Sequence, residues 1–467
     1  MSSKNYDNFF HAYDIRGLVS EGLDDDFFYR LGKAFVYFLK AKKVCVGRDI
    51  RVESQKFEEA FIKGAREMGV EITDIGQVAT EMIYYAVGSD LSFDGGAVIT
   101  ASHNPAGWNG CKMVGKQASA ISETSGLMEI KKLMDDDLNE DRDIAKGLYS
   151  QIDIYNEFKN KILSVLKGID IRPIRVVVDA GNGIGGIMFE KVFSNLGLDV
   201  IPMYFEADGN FPNHTPDPLK EENVVEIKKK VIEEKADLGI AIDGDGDRVF
   251  FIDNKGRNPC GVYTGALFCK YLLKDNPSGI VIQDPRVVWP IRDTVEKEGG
   301  RTIISKAGHS FFKQSMKENK ALYGAEMSSH FFYRDFFGAD SGMMTIAYML
   351  KFLSLGLDFT AEMNFFYINY PISGEINFEV NDNQTVLGRV SKYYSDQGGQ
   401  LETIDGISFS FSDWRFNLRQ SNTQPLIRLN MEGRSEKVLV DNFLKLKELI
   451  GDKIVSLPSL KSLQLLI

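Results

Sequence analysis

The sequence predicts an α/β protein with three similar α/β domains of mixed sheets and a smaller α+β C-terminal domain, grouped around a central cleft. From residue 27 to about residue 326, short apolar runs typical of buried strands alternate with amphipathic segments typical of helices. The alternation occurs in three rounds, each ending in an apolar strand and a polar loop. From about Tyr370 the pattern changes, because SGEINFEV alternates apolar and polar residues as a half-exposed strand does.

The rounds define the first three domains. Helix FFYRLGKAFVYFLK opens the first round, and strand GGAVITA closes it before a charged linker near residues 134–146. The second round runs from helix YNEFKNKILSVLKG to strand LGIAID, and the third from helix YTGALFCKYLLK to strand LYGAE. The last domain combines helices NQTVLGRVSKYYSDQ and SEKVLVDNFLKLKELIG with strands around GISFSFS and PLIRLNME. We therefore place the domains at residues 1–146, 147–256, 257–367 and 368–467.

Composition and charge narrow the class of protein. The 467 residues are 43% hydrophobic and 26% charged, which is typical of a globular protein with large cores. A net charge of −11 disfavours nucleic acid or an anionic membrane as a partner. The four cysteines form no CxxC pair, the N-terminus lacks the apolar core of a signal peptide, and no apolar run approaches the length of a membrane span. We expect free thiols, a cytoplasmic location, and no membrane partner.

The polar loops after the strands are the candidate sites, because open α/β sheets bind ligands at the carboxyl ends of their strands. In the first loop, Ser102 and His103 follow the run GGAVITA. The neighbouring residues alone do not decide between a nucleophilic serine and an ordinary turn serine, since serine is common in turns.

The second loop, DGDGDR, predicts a metal site. Asp243, Asp245 and Asp247 alternate with glycines, so their carboxylates can converge, and their mutual repulsion requires a cation. An EF-hand is excluded, because the positions that would hold Gly and Glu are Arg248 and Asn254. We favour Mg²⁺, since three carboxylates leave coordination positions for a phosphate oxygen.

A glycine-rich turn upstream supports an alternative function. DAGNGIGG places Gly181, Gly183 and Gly186 in G-x-G-x-x-G spacing between a strand and a helix, and Glu206 follows about 20 residues later. This pattern is typical of a nicotinamide-dependent oxidoreductase. Such an enzyme leaves DGDGDR unexplained, and glycines at tight strand-to-helix turns often serve packing.

Other polar groups fit a sugar phosphate. If GAEMSSH is extended, Glu326, Ser328 and His330 point to one side, where they suit sugar hydroxyls; a solvated loop is the alternative. RQSNTQP offers a guanidinium with hydroxyl and amide donors, which suits phosphate; a polar hairpin turn is the alternative. Three of the five histidines lie in strand-end loops, which favours an acid–base site: these are His103, His309 and His330.

Four of these loops occur in the order TASHNP, DGDGDR, GAEMSSH and RQSNTQP. Together they resemble the active-site loops of the α-D-phosphohexomutases, most closely those of the bacterial phosphomannomutase/phosphoglucomutase group. FHAYDIRG, VGRDIR, DAGNGIGG, GNFPNHTPDP and KAGHS resemble connecting motifs of that family, so the similarity covers nearly the whole chain.

The resemblance implies four domains around a cleft, a catalytic phosphoserine at Ser102, and Mg²⁺ held by the serine phosphate with Asp243, Asp245 and Asp247. It implies catalytic roles for Arg16, His103, Lys112, Arg248 and His330. It implies substrate binding by Tyr13, Arg286, His309, Glu326, Ser328, Arg419, Ser421, Asn422 and Thr423. Three letters depart from the family pattern, namely Cys111, Ala307 and Ser329, and none of them removes a catalytic group.

The function expected from this resemblance is interconversion of hexose 6-phosphate and hexose 1-phosphate through a bisphosphorylated sugar. Met327 fits a preference for mannose, with glucose as the second substrate. Hexose 1,6-bisphosphate is the expected activator, His330 or Lys112 the expected base, and a monomer or dimer the expected assembly. The alternatives are a glucose-preferring phosphoglucomutase, a catalytically silent sugar-phosphate-binding protein, and the nicotinamide-dependent oxidoreductase.

Overall fold

The computed structural model describes residues 6–135, 138, 145–421, 426–451, 453–456 and 460–464. The chain forms two compact units. Unit 1 comprises Met1–Pro259, Gly308–Lys320 and Ser328–Leu357, and unit 2 comprises Cys260–Ala307, Ala321–Met327 and Asp358–Ile467. The third predicted round therefore contributes elements to both units. Most of the predicted linker near residues 134–146 lies outside the described residues, and the four domain boundaries stay predictions.

The first round of unit 1 forms a mixed seven-stranded sheet. Its strands are β1 (Ile15–Leu18), β2 (Lys43–Arg48), β3 (Glu71–Gln77), β4 (Gly95–Ile99), β5 (Trp108–Gly115), β6 (Ser119–Ala120) and β7 (Tyr149–Gln151). They lie in the order β1-β5-β4-β2-β3-β7, with β6 paired to β5. Strand β2 is parallel to β3 and β4, whereas β5 is antiparallel to β4 and β1. The helices are α1 (Asp25–Leu39), α2 (Ser54–Glu67), α3 (Thr80–Ser89) and α4 (Leu127–Asp135).

The second round forms a four-stranded mixed sheet in the order β11-β10-β8-β9. Its strands are β8 (Arg175–Asp179), β9 (Asp199–Met203), β10 (Leu238–Ile242) and β11 (Val249–Ile252), and its helices are α5 (Tyr155–Leu163), α6 (Gly185–Phe193) and α7 (Val225–Glu233). Strand β8 is parallel to β9 and β10, and β11 is antiparallel to β10. The DGDGDR turn is therefore the connection of the β10–β11 hairpin.

The third round divides between the two units. Unit 2 holds helices α8 (Gly261–Asp275) and α9 (Trp289–Lys297), with the parallel strands β12 (Ile280–Gln283), β13 (Arg301–Ile304) and β14 (Tyr323–Ala325). Unit 1 holds helices α10 (His309–Glu318) and α11 (Gly342–Ser354), with the antiparallel pair β15 (Phe331–Tyr333) and β16 (Ala339–Asp340).

The last part of unit 2 is an antiparallel five-stranded sheet in the order β17-β21-β20-β19-β18. Its strands are β17 (Ile372–Glu379), β18 (Gln400–Glu402), β19 (Ile407–Ser410), β20 (Trp414–Gln420) and β21 (Leu426–Gly433). The helices are α12 (Phe359–Asn369), α13 (Asn383–Asp396), α14 (Glu436–Ile450) and α15 (Lys461–Gln464). Apolar side chains of the sheet, α13 and α14 share one core, including Phe378, Val390, Phe416 and Phe443. The predicted fold class of α/β domains with a smaller α+β domain is confirmed.

In the part of the chain that the structure describes, no single helix is long and apolar enough to cross a membrane. Helices α11 and α12 reach the length and apolar composition of a membrane span only when the two are counted together.

A buried carboxylate joins the antiparallel sheet of unit 2 to helix α9. Glu432 on β21 accepts hydrogen bonds of 2.8 Å from the backbone N–H groups of Val288 and Trp289, where α9 begins. Arg415 on β20 lies 3.4 Å from the same carboxylate, and Glu432 is buried. The N-terminus of a helix favours a negative charge, so this contact is both a hydrogen-bonded and an electrostatic one.

We expect Glu432→Gln to lower the free energy of unfolding by roughly 2–3 kcal/mol, because the amide removes the charge and keeps only one of the two oxygens that accept from the backbone N–H groups. Equilibrium urea denaturation measures this change. The exposed Glu436→Gln is the matched control and should stay within about 0.5 kcal/mol of the wild type. Equal stability of both variants would contradict the role given to Glu432.

Candidate active site

The serine loop follows β4 in unit 1 and presents a buried hydroxyl. Ser102 is 2% exposed, and its backbone has a positive φ of 52°, which is uncommon for a residue other than glycine. Its N–H donates to Thr100 Oγ1 at 2.9 Å, which ties the loop to the end of the strand. Its Oγ lies 3.2 Å from His103 Nδ1 and 3.5 Å from Asp243 Oδ2. The structure thus brings the predicted serine to the predicted metal turn.

The three carboxylates of the β10–β11 turn converge as the sequence predicts. Asp243, Asp245 and Asp247 are almost fully buried, and each offers an oxygen within 4.8 Å of an oxygen from the other two. One oxygen of Asp245 and one of Asp247 have no hydrogen-bond partner among the described residues. Buried unpaired carboxylate oxygens are the donor set that a hard divalent cation requires, so these residues fit Mg²⁺.

Two positively charged side chains of unit 1 already balance part of the negative charge of the triplet. Lys112 on β5 lies 2.7 Å from Asp245 and 2.5 Å from Asp247, and Arg248 Nε donates to Asp243 at 2.8 Å. Burial raises the pKa of Asp243 to about 7 against the opposing effect of Arg248. For Asp245, burial raises the pKa, but the Lys112 ammonium and the hydroxyls of Thr80 and Ser102 together outweigh burial, and the net shift is downward. A bound cation would favour the ionised form of Asp243.

A second set of ligand atoms lies beside the first. Asp247, His330 and Asp340 also offer atoms within 4.8 Å of one another. Lys313, itself buried, lies 3.5 Å from Asp340 and already serves as its counter-ion. Mg²⁺ prefers oxygen ligands to imidazole, so the aspartate triplet is the better site for that ion.

His330 lies beside the aspartate triplet, and the rings of His309 and Tyr13 follow it in series. His330 Nε2 lies 3.7 Å from Asp247 Oδ1, and its Nδ1 lies 3.0 Å from Ser328 Oγ. The rings of His309 and His330 are stacked with centroids 5.9 Å apart, and Tyr13 meets His309 edge to face at 4.9 Å. The structure therefore brings together all four of these predicted residues within unit 1.

Arg16 reaches the serine loop from β1. Its Nη1 donates to Asn104 Oδ1 at 3.0 Å, and its Nε donates to Asp14 at 2.8 Å. Arg16 pairs with Gly110 across the β1–β5 ladder, which places it two residues from Lys112 on the neighbouring strand. With Arg16, His103, Lys112 and Arg248 all beside Ser102 or the triplet, the predicted catalytic residues form one cluster.

His309 gives unit 1 an acid-sensitive position. Neither of its ring nitrogens has a hydrogen-bond partner among the described residues, and burial lowers its pKa well below the usual value, with Lys313 adding to the effect. The unfolded chain therefore binds a proton that the folded chain excludes. The stability from His309 is present above about pH 6.5 and is lost as the pH falls, by up to about 1.4 kcal/mol per unit.

We expect His309→Gln to make the loss of unfolding free energy between about pH 7 and 5 shallower than in the wild type. His214 is the matched control of opposite sign: burial lowers its pKa, but the hydrogen bond and charge of Asp179, with the Thr215 carbonyl and Glu226, together outweigh burial, and the net shift is upward. Its contribution is present below about pH 6.5 and is lost as pH rises, so His214→Gln should steepen the acid loss. Urea denaturation at several pH values measures both slopes, and a wild-type slope in His309→Gln would contradict the prediction.

The glycine-rich turn of the oxidoreductase alternative is filled by the protein's own backbone. A Cβ on Gly183 would lie 2.8 Å from the Gly244 carbonyl oxygen, and one on Gly186 would lie 2.7 Å from that of Phe205. These glycines permit close packing of α6 against the aspartate turn and the chain after β9. Packing accounts for the glycine spacing, so it supports no dinucleotide site.

In unit 2, arginines gather around one carboxylate. Glu375 on β17 lies 3.0 Å from Arg419 on β20 and 3.2 Å from Arg428 on β21. Burial raises the pKa of Glu375, but the charges of Arg419, Arg286 and Arg428 together outweigh the effect of burial, and the net shift of the pKa is downward. Arg428 also donates to Ser421 Oγ at 3.4 Å. The Nε groups of Arg419 and Arg428 are buried and have no hydrogen-bond partner among the described residues.

Arg286 connects this cluster to the predicted sugar loop. Its Nε donates to Asp284 at 2.8 Å, and its Nη2 lies 3.5 Å from Glu326. Asp284 in turn accepts from the Met327 N–H at 3.1 Å, which fixes the loop after β14. Glu326, Arg286, Arg419 and Ser421 thus share unit 2, while Ser328 and His330 belong to unit 1. Asn422 and Thr423 lie outside the described residues.

Sequence reasoning missed several contributors, among them Thr80 and Arg428. Thr80 at the start of α3 donates to Asp245 at 2.5 Å, and nothing in TEMIYYAVG distinguishes it from a helix-initiating threonine. Arg428 faces Arg419 across the β20–β21 ladder. The alternation in LIRLN placed Arg428 on the polar face, and a hairpin register would have paired it with Arg419.

The chain matches all four domains of one family. Residues 7–140, 153–256 and 261–362 match "Phosphoglucomutase/phosphomannomutase, alpha/beta/alpha domain" I, II and III, and residues 375–443 match the C-terminal domain of the same family. A phosphomannomutase of Vibrio cholerae is 39% identical over 94% of this chain and 97% of its own length. A protein named phosphohexose mutases from Xanthomonas campestris is 39% identical over 92% and 96%. A crystal structure of a Burkholderia thailandensis family protein aligns with a TM-score of 0.86 at 30% identity, over 96% and 99% of the two chains.

The chain therefore belongs to the phosphoglucomutase/phosphomannomutase family. The predicted α-D-phosphohexomutase superfamily and the predicted class of enzyme, an isomerase that acts on hexose phosphates, are confirmed.

Proposed function

We propose that this enzyme interconverts mannose 6-phosphate and mannose 1-phosphate, and more slowly the glucose phosphates, with Ser102 as the phosphoryl carrier. One observation carries the proposal: the Ser102 hydroxyl lies 3.5 Å from a carboxylate of a buried triplet that fits a divalent cation. A phosphate on that hydroxyl would meet a cation held by Asp243, Asp245 and Asp247. Bound Mg²⁺ would supply charge neutralisation for the transferred phosphoryl group.

The residues around Ser102 divide the chemistry between them. The phosphoryl group leaves Ser102 Oγ and bonds to the free hydroxyl of the bound sugar phosphate. His330 takes the proton of that hydroxyl, and the proton returns to the Ser102 oxygen as the P–O bond breaks. Between the two candidate bases we favour His330, since the Lys112 ammonium is committed to Asp245 and Asp247, where it spreads negative charge with Arg248 and Arg16. His103 orients the Ser102 side chain.

The bisphosphorylated sugar that results reorients and returns its other phosphoryl group to Ser102. The arginine cluster of unit 2, with Arg286, Arg419, Ser421, Asn422 and Thr423, holds the phosphate that is not being transferred. Glu326, Ser328, His309 and Tyr13 contact the sugar ring. Hexose 1,6-bisphosphate acts as the activator, because it phosphorylates Ser102 when the serine has lost its phosphate.

Mannose preference rests on two supports. Met327 is the residue expected in the sugar loop of mannose-specific members, and a relative at 39% identity carries the name phosphomannomutase. We further propose a cytoplasmic enzyme that is a monomer or dimer. Its four cysteines are free thiols, and three of them are buried.

A coupled assay with mannose 1-phosphate and glucose 1-phosphate tests the proposal, in Mg²⁺ and a trace of glucose 1,6-bisphosphate. We expect turnover of both sugars, with the higher kcat/KM for mannose. A higher value for glucose would make the enzyme a phosphoglucomutase and contradict the role of Met327. Binding of both sugars without turnover would favour the silent binding protein and overturn the mutase.

A further inference from the structure

A single buried arginine of unit 1 binds four backbone carbonyl groups of the serine loop. Arg51 follows β2 in the VGRDIR segment and is 4% exposed. Its Nη2 donates to the carbonyl oxygens of Ser102 at 2.8 Å and Asn104 at 2.6 Å. Its Nη1 donates to those of Pro105 at 2.9 Å and Trp108 at 3.0 Å. One rigid guanidinium thus spans the loop from its serine to the first residue of β5.

The guanidinium is itself held on its remaining side. Arg51 Nε lies 3.2 Å from Asp49 Oδ2, and Asp49 Oδ1 accepts from Ser54 Oγ at 2.6 Å. Ser54 Oγ in turn accepts from Asn109 Nδ2 at 3.1 Å, which extends the network into β5. The ring of Phe211 lies 4.9 Å from the guanidinium carbon. Arg51 therefore has one geometry, fixed by groups that do not belong to the serine loop.

This geometry matters because the Ser102 backbone is strained and closely packed. A positive φ at a serine persists only where the surroundings over-determine it. The Ser102 carbonyl that Arg51 binds also faces the aspartate turn: a Cβ on Gly244 would lie 2.5 Å from that oxygen. A shift of the carbonyl would consequently move Ser102 Oγ relative to Asp243.

We propose that Arg51 is a positioning residue for phosphoryl transfer, which holds the Ser102 carrier at its working distance from the aspartate triplet without touching substrate. The proposal rests on the proposed function, in which Ser102 carries the phosphoryl group. Arg51 acts through the loop backbone, so it governs the transfer step and leaves sugar binding unchanged. A misplacement of about 1 Å can cost roughly 10²-fold in rate.

Arg51→Lys is the test, because lysine keeps the charge but cannot reach four carbonyls from a planar fork. We expect kcat with mannose 1-phosphate to fall roughly 30- to 100-fold and KM to change less than about threefold. The ³¹P NMR signal of phosphorylated Ser102 should shift or broaden, which loss of stability alone does not cause. Arg48→Lys is the matched control: Arg48 lies in the same segment but pairs with Glu58 at 2.7 Å and not with the serine loop. Its kcat should stay within about twofold.

Provided that Ser102 is phosphorylated in the wild type, two results would overturn the inference. One is a kcat in Arg51→Lys equal to that of the wild type. The other is a fall in kcat in Arg48→Lys as large as that in Arg51→Lys. If Arg51→Lys does not fold, Asp49→Asn decides. It removes the charge behind Arg51 and replaces one of the two acceptor oxygens of that side chain with an amide donor, so kcat should fall about threefold to tenfold; an unchanged kcat there overturns the inference. A wild-type protein with no phosphate on Ser102 would instead overturn the proposed function.

Discussion

Ser102→Ala is expected to reduce turnover of both hexose 1-phosphates by roughly 10⁴-fold or more, the scale on which losing a covalent nucleophile acts. Among the described residues, Ser102 carries the one hydroxyl of its loop that lies within hydrogen-bond reach of Asp243, so no neighbouring hydroxyl replaces it. His103, beside it, can orient a phosphate but supplies no hydroxyl.

Intact mass gives the second readout of this variant. A fraction of the wild-type protein should be heavier by about 80 Da, the mass of one phosphoryl group, and Ser102→Ala should lack that species. Ser89→Ala, at the end of α3, is the matched control and should keep both the heavier species and the activity. If the added mass survives in Ser102→Ala, the phosphorylated residue lies elsewhere.

Asp243→Asn is expected to lower kcat/KM by roughly 10²- to 10³-fold, the scale of losing one charged group that stabilises the transition state. The side-chain amide keeps the size of the carboxylate, and its oxygen can still accept from the N–H groups of Gly246 and Arg248. The backbone of the turn should therefore keep its hydrogen bonds, while Arg248 Nε loses its carboxylate acceptor and the cation loses one of its three charged ligands.

The dependence on Mg²⁺ separates this effect from misfolding. In the wild type, saturating Mg²⁺ should raise the free energy of unfolding by about 2.7 kcal/mol at 100 times its Kd, and chelation should reverse both the stabilisation and the activity. Asp243→Asn should need at least about tenfold more Mg²⁺ for half-maximal activity. The exposed Asp237→Asn, just before β10, is the control. Equal Mg²⁺ requirements in Asp243→Asn and the wild type would exclude Asp243 as a ligand.

The convergence of the aspartate turn was predictable because its residue types leave few physical interpretations. Three aspartates two residues apart repel one another unless a cation binds, so the convergence of Asp243, Asp245 and Asp247 follows from the sequence alone. Strand β5 was not predictable in this way. Its segment WNGCKMVG contains Asn109, Gly110 and Lys112, whose polarity and flexibility disfavour a buried strand. Tertiary partners stabilise those positions, namely Ser54 for Asn109 and the aspartates for Lys112.

Partners far apart in sequence account for most of what was missed. Arg51 lies 51 residues before Ser102, and its role depends on four carbonyl groups, which carry no sequence signal. Glu432 binds backbone N–H groups at Val288 and Trp289, so no complementary side chain could have indicated the contact. Contacts between two side chains can be predicted from complementary residue types. Contacts between a side chain and the backbone can be identified only once the fold is known.

Glu375 has a consequence for how tightly the arginine cluster of unit 2 holds an anion. Its carboxylate lies between Arg419 and Arg428, and its lowered pKa keeps it ionised near neutral pH. A phosphate that enters the cluster competes with this internal counter-ion, so part of the attraction of the arginines is already offset when the ligand arrives. In its proposed role, we therefore expect the cluster to hold a phosphate less tightly than unpaired arginines would and to release it faster. Rapid exchange is what an enzyme requires when the same molecule must present first one phosphate and then the other.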